Sequence, residues 1–355
     1  GAGISTNPPA SLRDYRGPDG IWTEAEKAGR AVGEPGGDDS AETPWDDQFY
    51  RCMPMARPTL THMAITSLAQ SINGNNPYVR HVISQNEDGL HRRAGLNAEQ
   101  LSEIHGNAFI ELCGNYHEGD TDSDMGSSSE EDEEKEAKLA ARQKEVQEAR
   151  RLRPPGCGSA VYRDFVTYYG DTYKKSNPKG RHVTGRACPR CRSSGSVAQG
   201  EAGWLVDTTV DFGEAPGGFP WGWNAIHNVA AAKHHMQHAD LVVVWGSTLS
   251  VIANYFDPWF PPSKWAQPHP HGLRKAVLPQ STVPRPKRRR GTSESTAPAT
   301  ARPCSLVIVS KGKVLDEELA VLKIDADVDQ VACELVKLLG LAEVQEYDTS
   351  RDEFV

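Results

Sequence analysis

Three short runs rich in β-branched residues place the strongest constraint on the fold of this chain. Each run is apolar enough to be buried on both faces, as strands of a parallel sheet are, and each ends in small or polar residues. The runs span residues 79–84, 241–245 and 305–309. Stretches with helical periodicity accompany them at residues 59–73, 223–238 and 328–339. This alternation predicts an α/β fold, in which helices cover both faces of a parallel sheet.

The residues that follow these strands predict the position of a ligand cleft. In parallel sheets, ligands bind beyond the carboxyl ends of the strands. Here those ends carry the polar or small residues of 84–86, 246–248 and Ser310. The glycine-rich segment 1–5 is suited to let backbone N–H groups approach a phosphate, although it lacks the third glycine of the dinucleotide fingerprint.

The charge of the chain is concentrated in one segment. The chain carries 39 basic and 48 acidic residues, a net charge of −9, which excludes a uniformly basic nucleic-acid binder. Residues 118–150 hold 12 acidic and 5 basic residues, a net of −7, and so leave −2 for the rest. Such a composition buries too little apolar surface to fold, so we predict a surface insertion; an acidic docking segment for basic partners is the alternative.

A second segment of biased composition follows at residues 258–303. It is rich in Pro, Ser and Thr and contains a basic cluster at residues 285–290. The cluster is typical either of a nuclear import signal or polyanion contact, or of a solvated linker, and the sequence leaves both open. Because no apolar run reaches the length of a membrane span, about 18–20 residues, we expect no membrane association.

The cysteines indicate a metal site rather than disulfide bonds. The chain has seven, an odd number, and Cys188 and Cys191 form a Cys-Pro-Arg-Cys turn suited to two thiolates on one metal. If the acidic insertion is looped out, Cys113 and Cys157 supply a second pair and complete a tetrahedral four-cysteine zinc site. His117 competes with Cys157 because Cys113-x₃-His117 also has workable spacing. Four thiolates leave no open position for water, so the zinc ion is expected to be structural.

Several motifs follow one another in an informative order. They are Gly1-Ala2-Gly3-Ile4-Ser5-Thr6, Asp14-Tyr15-Arg16-Gly17-Pro18, Ser84-Gln85-Asn86-Glu87-Asp88-Gly89-Leu90-His91, Glu103-Ile104-His105-Gly106-Asn107, Val210-Asp211-Phe212-Gly213-Glu214 and Gly246-Ser247-Thr248-Leu249. In this order, with the cysteine pattern between the fourth and fifth, they resemble the sirtuins, the NAD-dependent protein deacylases. The segment Asp14–Pro18, with the Trp-Thr that follows it, resembles the nuclear branch that contains the animal sirtuins six and seven.

The resemblance implies a Rossmann-type domain that carries a small inserted zinc module, with NAD and an acylated lysine entering the cleft between them. Residues 1–110, 206–257 and 304–345 are expected to form the Rossmann-type domain, and residues 111–205 the zinc module. The acidic insertion then covers about 118–153, the Pro- and Ser-rich insertion 258–303, and a tail 346–355. Because the chain opens on the glycine turn without Met, we expect the preceding strand and any targeting signal to be missing.

The resemblance also implies roles for individual residues. Those that match the NAD contacts are Gly1, Ala2, Gly3, Ser5, Asp14, Tyr15, Arg16, Gln85, Asn86, Asp88, Gly246, Ser247 and Ser310. Among them, Gln85 matches the residue that holds the nicotinamide ribose, and Asn86 and Asp88 match the pocket for the carboxamide. His105 matches the catalytic base. Val210, Phe212 and Gly213 match the acyl-lysine tunnel and the strand that pairs with the substrate backbone.

The expected function is therefore NAD-dependent removal of an acyl group from lysine, with release of nicotinamide. We further expect a nuclear location, histones or other nuclear proteins as substrates, and chromatin association through residues 285–290. Two alternatives remain at this point. One is a mono-ADP-ribosyltransferase that uses the same cleft, and the other is a non-enzymatic chromatin scaffold.

Overall fold

A computed structural model gives the fold of the chain. It describes residues 1–17, 20–27, 29, 50–70, 76–114, 157–168, 182–193, 204–210, 225–252 and 304–352. The acidic and the Pro- and Ser-rich insertions, the basic cluster at 285–290 and His117 lie outside these residues. Within the part of the chain that is described, no helix has the length and apolar character needed to cross a membrane.

A three-stranded parallel sheet forms one half of the parallel α/β part of the structure. Its strands are β7 (Leu241–Trp245), β8 (Ser305–Val309) and β9 (Leu322–Ile324), in the order β7-β8-β9. Leu241 pairs with Ser305 and Val307 with Leu322, so β8 lies between its neighbours. The strands predicted at 241–245 and 305–309 are confirmed.

Helices cover both faces of this sheet. Alternate side chains point to opposite faces of a strand, and two separate hydrophobic clusters follow from that alternation. Val244 and Ile308 pack with Val229 of helix α5 (Val229–His238). Val243, Val307 and Val309 pack on the other face, with Val328 and Val331 of helix α6 (Val328–Leu338). The α/β architecture expected from the sequence is thus confirmed.

A two-stranded parallel sheet forms the other half. Strands β1 (Val82–Ser84) and β2 (Leu101–Glu103) pair in parallel, with Val82 opposite Leu101. Strand β1 begins three residues later than predicted. Helix α2 (Leu60–Ala69) precedes it and packs Ala64 and Leu68 against α6. Two short helices, α1 (Ile21–Lys27) and α3 (Leu90–Arg93), complete this half.

An antiparallel sheet is inserted between β2 and α5. It contains β3 (Ile110–Gly114), β4 (Ala160–Tyr162), β5 (Val183–Ala187) and β6 (Trp204–Asp207), in the order β4-β3-β6-β5, and helix α4 (Pro189–Ser193) follows β5. The buried carboxylate of Glu111 accepts hydrogen bonds from Arg163 Nε at 2.5 Å, Arg186 Nε at 2.7 Å and the hydroxyl of Thr184. This single side chain therefore links β3 to β5 and to the segment after β4.

A buried imidazole caps helix α2. His62 is fully buried, and its Nδ1 accepts a hydrogen bond from the backbone N–H of Thr59 at 3.3 Å, so this nitrogen carries no proton. The ring of His91 lies edge-on against it, with ring centroids 4.8 Å apart. Burial lowers the pKa of His62 to about 3 and holds the pKa of His91 well below its usual value. Both rings are therefore neutral in the folded chain at pH 7.

We predict that acid destabilises the protein through His62. The unfolded chain takes up this proton near pH 6.5 and the folded chain only near pH 3, so the stabilisation is complete above pH 6.5 and is lost as pH falls toward 3. The free energy of unfolding should fall by roughly 1.4 kcal/mol per pH unit from this group. Urea unfolding of wild type and His62→Gln between pH 7.5 and 4.5 measures it. The free energy of unfolding should fall less steeply with pH in the variant, by the equivalent of about one proton. Equal slopes would show that His62 does not take up this proton on unfolding.

Candidate active site

A cleft of about 440 Å³ opens along the carboxyl ends of the parallel strands. The predicted residues that line it are Gly1, Ala2, Gly3, Asp14, Tyr15, Arg16, Gln85, Asn86, His105, Gly246, Ser247 and Ser310. The amide of Gln85 donates to the hydroxyl of Ser247 at 3.0 Å, so the residues after β1 and after β7 meet in this cleft. The structure thus brings together residues that are up to 309 positions apart in the sequence.

The floor of the cleft is a close contact between two backbone segments. The N–H of Gly3 donates to the carbonyl oxygen of Gly246 at 2.9 Å. A Cβ atom on Gly3 would lie 2.9 Å from the Cα of Gly246, and Gly246 itself has a φ of +55°. Neither position tolerates a side chain without displacing backbone, which explains why glycine occupies both.

His105 enters the cleft from a loop that directly follows β2. Gly106, the next residue, has a φ of +84°, and a Cβ atom there would lie 1.8 Å from the carbonyl oxygen of Thr208. The backbone N–H of Val210 donates to the carbonyl of His105 at 3.0 Å. The loop is therefore held between β2 and the residues after β6. The buried carboxylate of Glu103, bonded to Arg92 Nε at 2.6 Å, anchors its start.

One hydrogen bond determines the tautomer of His105. Its Nδ1 lies 2.8 Å from the carbonyl oxygen of Gln85, and because a carbonyl only accepts, Nδ1 carries the proton. In the neutral ring Nε2 is then the basic nitrogen. Desolvation lowers the pKa of His105 to about 4, although the bond to Gln85 acts in the opposite direction. The ring is neutral at pH 7 and can accept a proton at Nε2.

Asp88 and Ser5 lie behind the cleft wall rather than in it. Asp88 is 5% exposed, and its Oδ2 accepts from Ser5 Oγ at 2.6 Å and from Asn86 Nδ2 at 3.3 Å. Its Oδ1 accepts from the N–H of Leu90 at 3.1 Å. The carboxylate therefore orients the amide of Asn86. The direct contact of Asp88 with a carboxamide, expected from the sequence, stays a prediction.

An aromatic and cationic cluster borders the cleft beside the loop that follows residue 13. The rings of Tyr15 and Trp22 lie 5.1 Å apart, and Arg16 places its guanidinium 4.6 Å from the Trp22 ring centre. Backbone N–H groups of Ile21 and Trp22 donate to the carbonyls of Asp14 and Tyr15, each at 2.9 Å. The loop is thus attached to the start of α1. Trp22, which the sequence analysis did not assign, also lines the cleft.

The cleft extends to a charged pair that the sequence analysis also missed. Lys311 and Asp327 both line it, with Lys311 Nζ 2.9 Å from Asp327 Oδ2. Asn7 donates to Asp327 Oδ1 at 3.0 Å. Burial acts to raise the pKa of Asp327, but the hydrogen bonds from Lys311, Gln330 and Asn7 hold it below its usual value, so the carboxylate is charged. The position of Asp327, directly before the helical run at 328, was the available signal for a capping residue.

Of the residues predicted to contact the acyl-lysine, one is described. Val210 follows β6 and is hydrogen-bonded to the backbone of His105 at 3.0 Å, so it adjoins the cleft at the His105 loop. Phe212 and Gly213 lie outside the described residues, and their role stays a prediction.

Four thiols meet at one end of the inserted sheet. The Sγ atoms of Cys113, Cys157, Cys188 and Cys191 all lie within 4.8 Å of one another. Cys113 and Cys191 are 3.5 Å apart and Cys157 and Cys188 3.6 Å apart, close to the spacing of about 3.8 Å between sulfurs around one tetrahedral zinc ion. The donor set therefore fits a single structural zinc ion, with Cys157 as the fourth ligand.

Removal of Cys157 should release the zinc ion. We expect Cys157→Ser to hold less than half of the wild-type zinc, measured by atomic absorption after gel filtration, and to unfold at a lower temperature. Cys52→Ser is the matched control because Cys52 is an exposed thiol outside the cluster. One zinc ion retained per chain in Cys157→Ser would show that another ligand, such as His117, completes the site.

Comparison with known proteins places this chain in a family. The Sir2 family model matches residues 1–253. The NAD-dependent protein deacetylase sirtuin-7 of Bos taurus is 33% identical over 268 residues, 74% of this chain and 46% of that protein. The deacetylase Sirt6 of Drosophila melanogaster is 46% identical over 113 residues, 32% of this chain and 28% of that protein. This chain therefore spans about half the length of its sirtuin-7 relatives.

Among solved structures, a Sir2 protein bound to an acetylated peptide aligns with a TM-score of 0.44 and 18% identity, over 96% of this chain and 91% of that chain. A likeness of that size adds nothing to the assignment, which rests on the family match and on the identity to the sirtuin-7 proteins. The family match and this identity both confirm the expectation, drawn from the sequence, that the chain is a sirtuin. The chain belongs to the Sir2 family.

Proposed function

We propose that this protein is an NAD-dependent protein-lysine deacylase that transfers the acyl group of a lysine to ADP-ribose and releases nicotinamide. The observation that carries the proposal is the position of His105. A neutral imidazole with a basic Nε2 lines the same cleft as Gln85, Asn86 and the glycine contact. A cleft that holds a proton acceptor beside backbone suited to a pyrophosphate fits chemistry on a dinucleotide.

The order of residues along the cleft supports one orientation of NAD. The pyrophosphate lies over Gly1–Gly3 and Gly246, where side chains do not obstruct the backbone. The nicotinamide end then lies toward Gln85 and Asn86, beside His105. Asp88 and Ser5 act from behind the wall, by orienting the Asn86 amide toward the carboxamide. Asp14, Tyr15 and Arg16 close over this end, while Ser247 and Ser310 face the adenosine half.

The chemistry needs little from the protein beyond position and one proton acceptor. As nicotinamide leaves, the acyl oxygen of the substrate bonds to C1′ of the ribose, which carries the developing positive charge. Nε2 of His105 then takes a proton from a ribose hydroxyl, which attacks the acyl carbon, and water completes the release of the lysine amine. One such base contributes roughly 10²- to 10⁴-fold in rate. The co-substrate NAD is consumed in each cycle.

Acyl-lysine peptides are the proposed second substrate. Val210, with Phe212 and Gly213, forms the wall and the pairing edge for the peptide in this proposal. The proposal has three finer parts. The targets are histones or other nuclear proteins, residues 285–290 associate with chromatin, and the protein is located in the nucleus. They rest on the resemblance to the sirtuin six and seven branch and on the composition of the chain.

We expect His105→Ala to lower peptide-dependent nicotinamide release by about 10²- to 10⁴-fold, because the proton acceptor is lost. The fold should be retained, since besides the proton acceptor the substitution removes the hydrogen bond to the Gln85 carbonyl and leaves the backbone contact with Val210 in place. The assay contains the zinc-loaded protein, NAD and an acetyl-lysine peptide. His238→Ala is the matched control, since His238 is exposed on α5 and does not line the cleft. A His105→Ala variant with more than half of the wild-type rate would refute the proposed base.

The fate of the ADP-ribose separates the alternatives. A deacylase places the acyl group on free ADP-ribose, whereas a mono-ADP-ribosyltransferase leaves labelled ADP-ribose on protein. Mass spectrometry of both fractions after turnover of labelled NAD distinguishes them. An absence of nicotinamide release and of NAD binding in the full-length protein would favour a scaffold.

A further inference from the structure

The strand order defines which end of the cleft lies farthest from His105. His105 follows β2, which pairs with β1; Gln85 after β1 contacts Ser247 after β7; and β7 continues to β8 and β9. The cleft therefore runs from His105 across the glycine contact to residues 310–313 and 326–328. In the NAD orientation proposed above, on which this inference rests, this far end receives the adenosine ribose.

The carboxylate of Asp327 is fixed at this far end. Asp327 caps helix α6, and its Oδ1 accepts from the N–H of Asp329 at 3.0 Å and of Gln330 at 3.4 Å. Asn7, from the loop after the glycine turn, donates to the same oxygen at 3.0 Å. These bonds orient the side chain, which remains 33% exposed where it lines the cleft. A carboxylate so placed is suited to accept hydrogen bonds from ribose hydroxyls.

Two lysines line the same end. Lys311 Nζ donates to Asp327 Oδ2 at 2.9 Å and is 68% exposed, so the ammonium group is neutralised by this partner but reachable from the cleft. Lys313 lines the cleft two residues further along. Without the carboxylate, this end would hold two ammonium groups, which is the chemistry that binds a phosphate monoester.

We propose that Asp327 determines which dinucleotide the cleft accepts. Its carboxylate binds the hydroxyls of the adenosine ribose and repels a 2′-phosphate, and it occupies the Lys311 ammonium that would otherwise bind that phosphate. Lys311 is thus a latent phosphate-binding residue, and the choice of NAD over NADP depends on one pair of side chains.

Asp327→Asn tests this directly, with NAD and NADP binding to the full chain measured by calorimetry. Asn caps helices as well as Asp does, so the fold should be retained. Wild type should bind NAD at least about tenfold more tightly than NADP, and the variant should reduce this ratio by about tenfold or more, because a repulsive charge is removed and Lys311 is released. The double variant Asp327→Asn with Lys311→Met should recover part of the wild-type preference for NAD, because the ammonium that binds the 2′-phosphate is removed while the repulsive charge stays absent.

The matched control is Asp325→Asn. It removes the same charge two residues before Asp327, from a side chain that does not line the cleft. It should change the ratio by less than about twofold. Wild type that binds NAD, together with an Asp327→Asn variant whose ratio shifts less than twofold, overturns this inference and leaves the proposed function standing. Wild type that binds neither dinucleotide overturns the proposed function and this inference with it.

Discussion

The hydrogen bond from the Gly3 N–H to the Gly246 carbonyl is the contact on which the rest of the site depends. It joins the start of the chain to the end of β7 at 2.9 Å, a distance that two side chains would not permit. The contact leaves a stretch of bare backbone as the middle of the cleft. Side chains that line the cleft approach from either side of it, His105 from β2 and Asp327 from the cap of α6.

The amides of Gln85 and Asn86 and the neutral imidazole of His105 line one end of the cleft, where Asp14, Arg16 and Glu87 also contribute to the wall. The carboxylates of Asp88 and Glu103 are turned away into hydrogen bonds behind this wall. At the other end an ion pair faces the opening. In the proposed reaction, a positive charge that develops on a sugar carbon would face the oriented amide dipoles of this partly desolvated region, where such dipoles act more strongly than in water.

The sequence predicted the features that depend on local residue patterns, namely strands and the metal cluster. The β-branched runs at 241–245 and 305–309 became strands, and the spacing of the cysteines indicated the metal cluster despite the long segment between Cys113 and Cys157. The sequence could not show how far each polar residue lies from the cleft, because a motif does not indicate which of its side chains faces the ligand. Asp88, for example, lies behind the cleft wall. The pair of Lys311 and Asp327 was missed because it depends on the register of β8 against β9, which no single segment contains.

The position of Cys113 and Cys157 in one cluster also affects how much a change in the length of the segment between them would cost. Once both thiols hold the same ion, the 43 residues between them form a closed loop whose entropic cost depends only on the logarithm of its length. Doubling such a loop costs about 0.6 kcal/mol, a small fraction of the binding energy of a structural metal. A change in the length or composition of this stretch should therefore cost little as long as Cys113 and Cys157 both bind the ion.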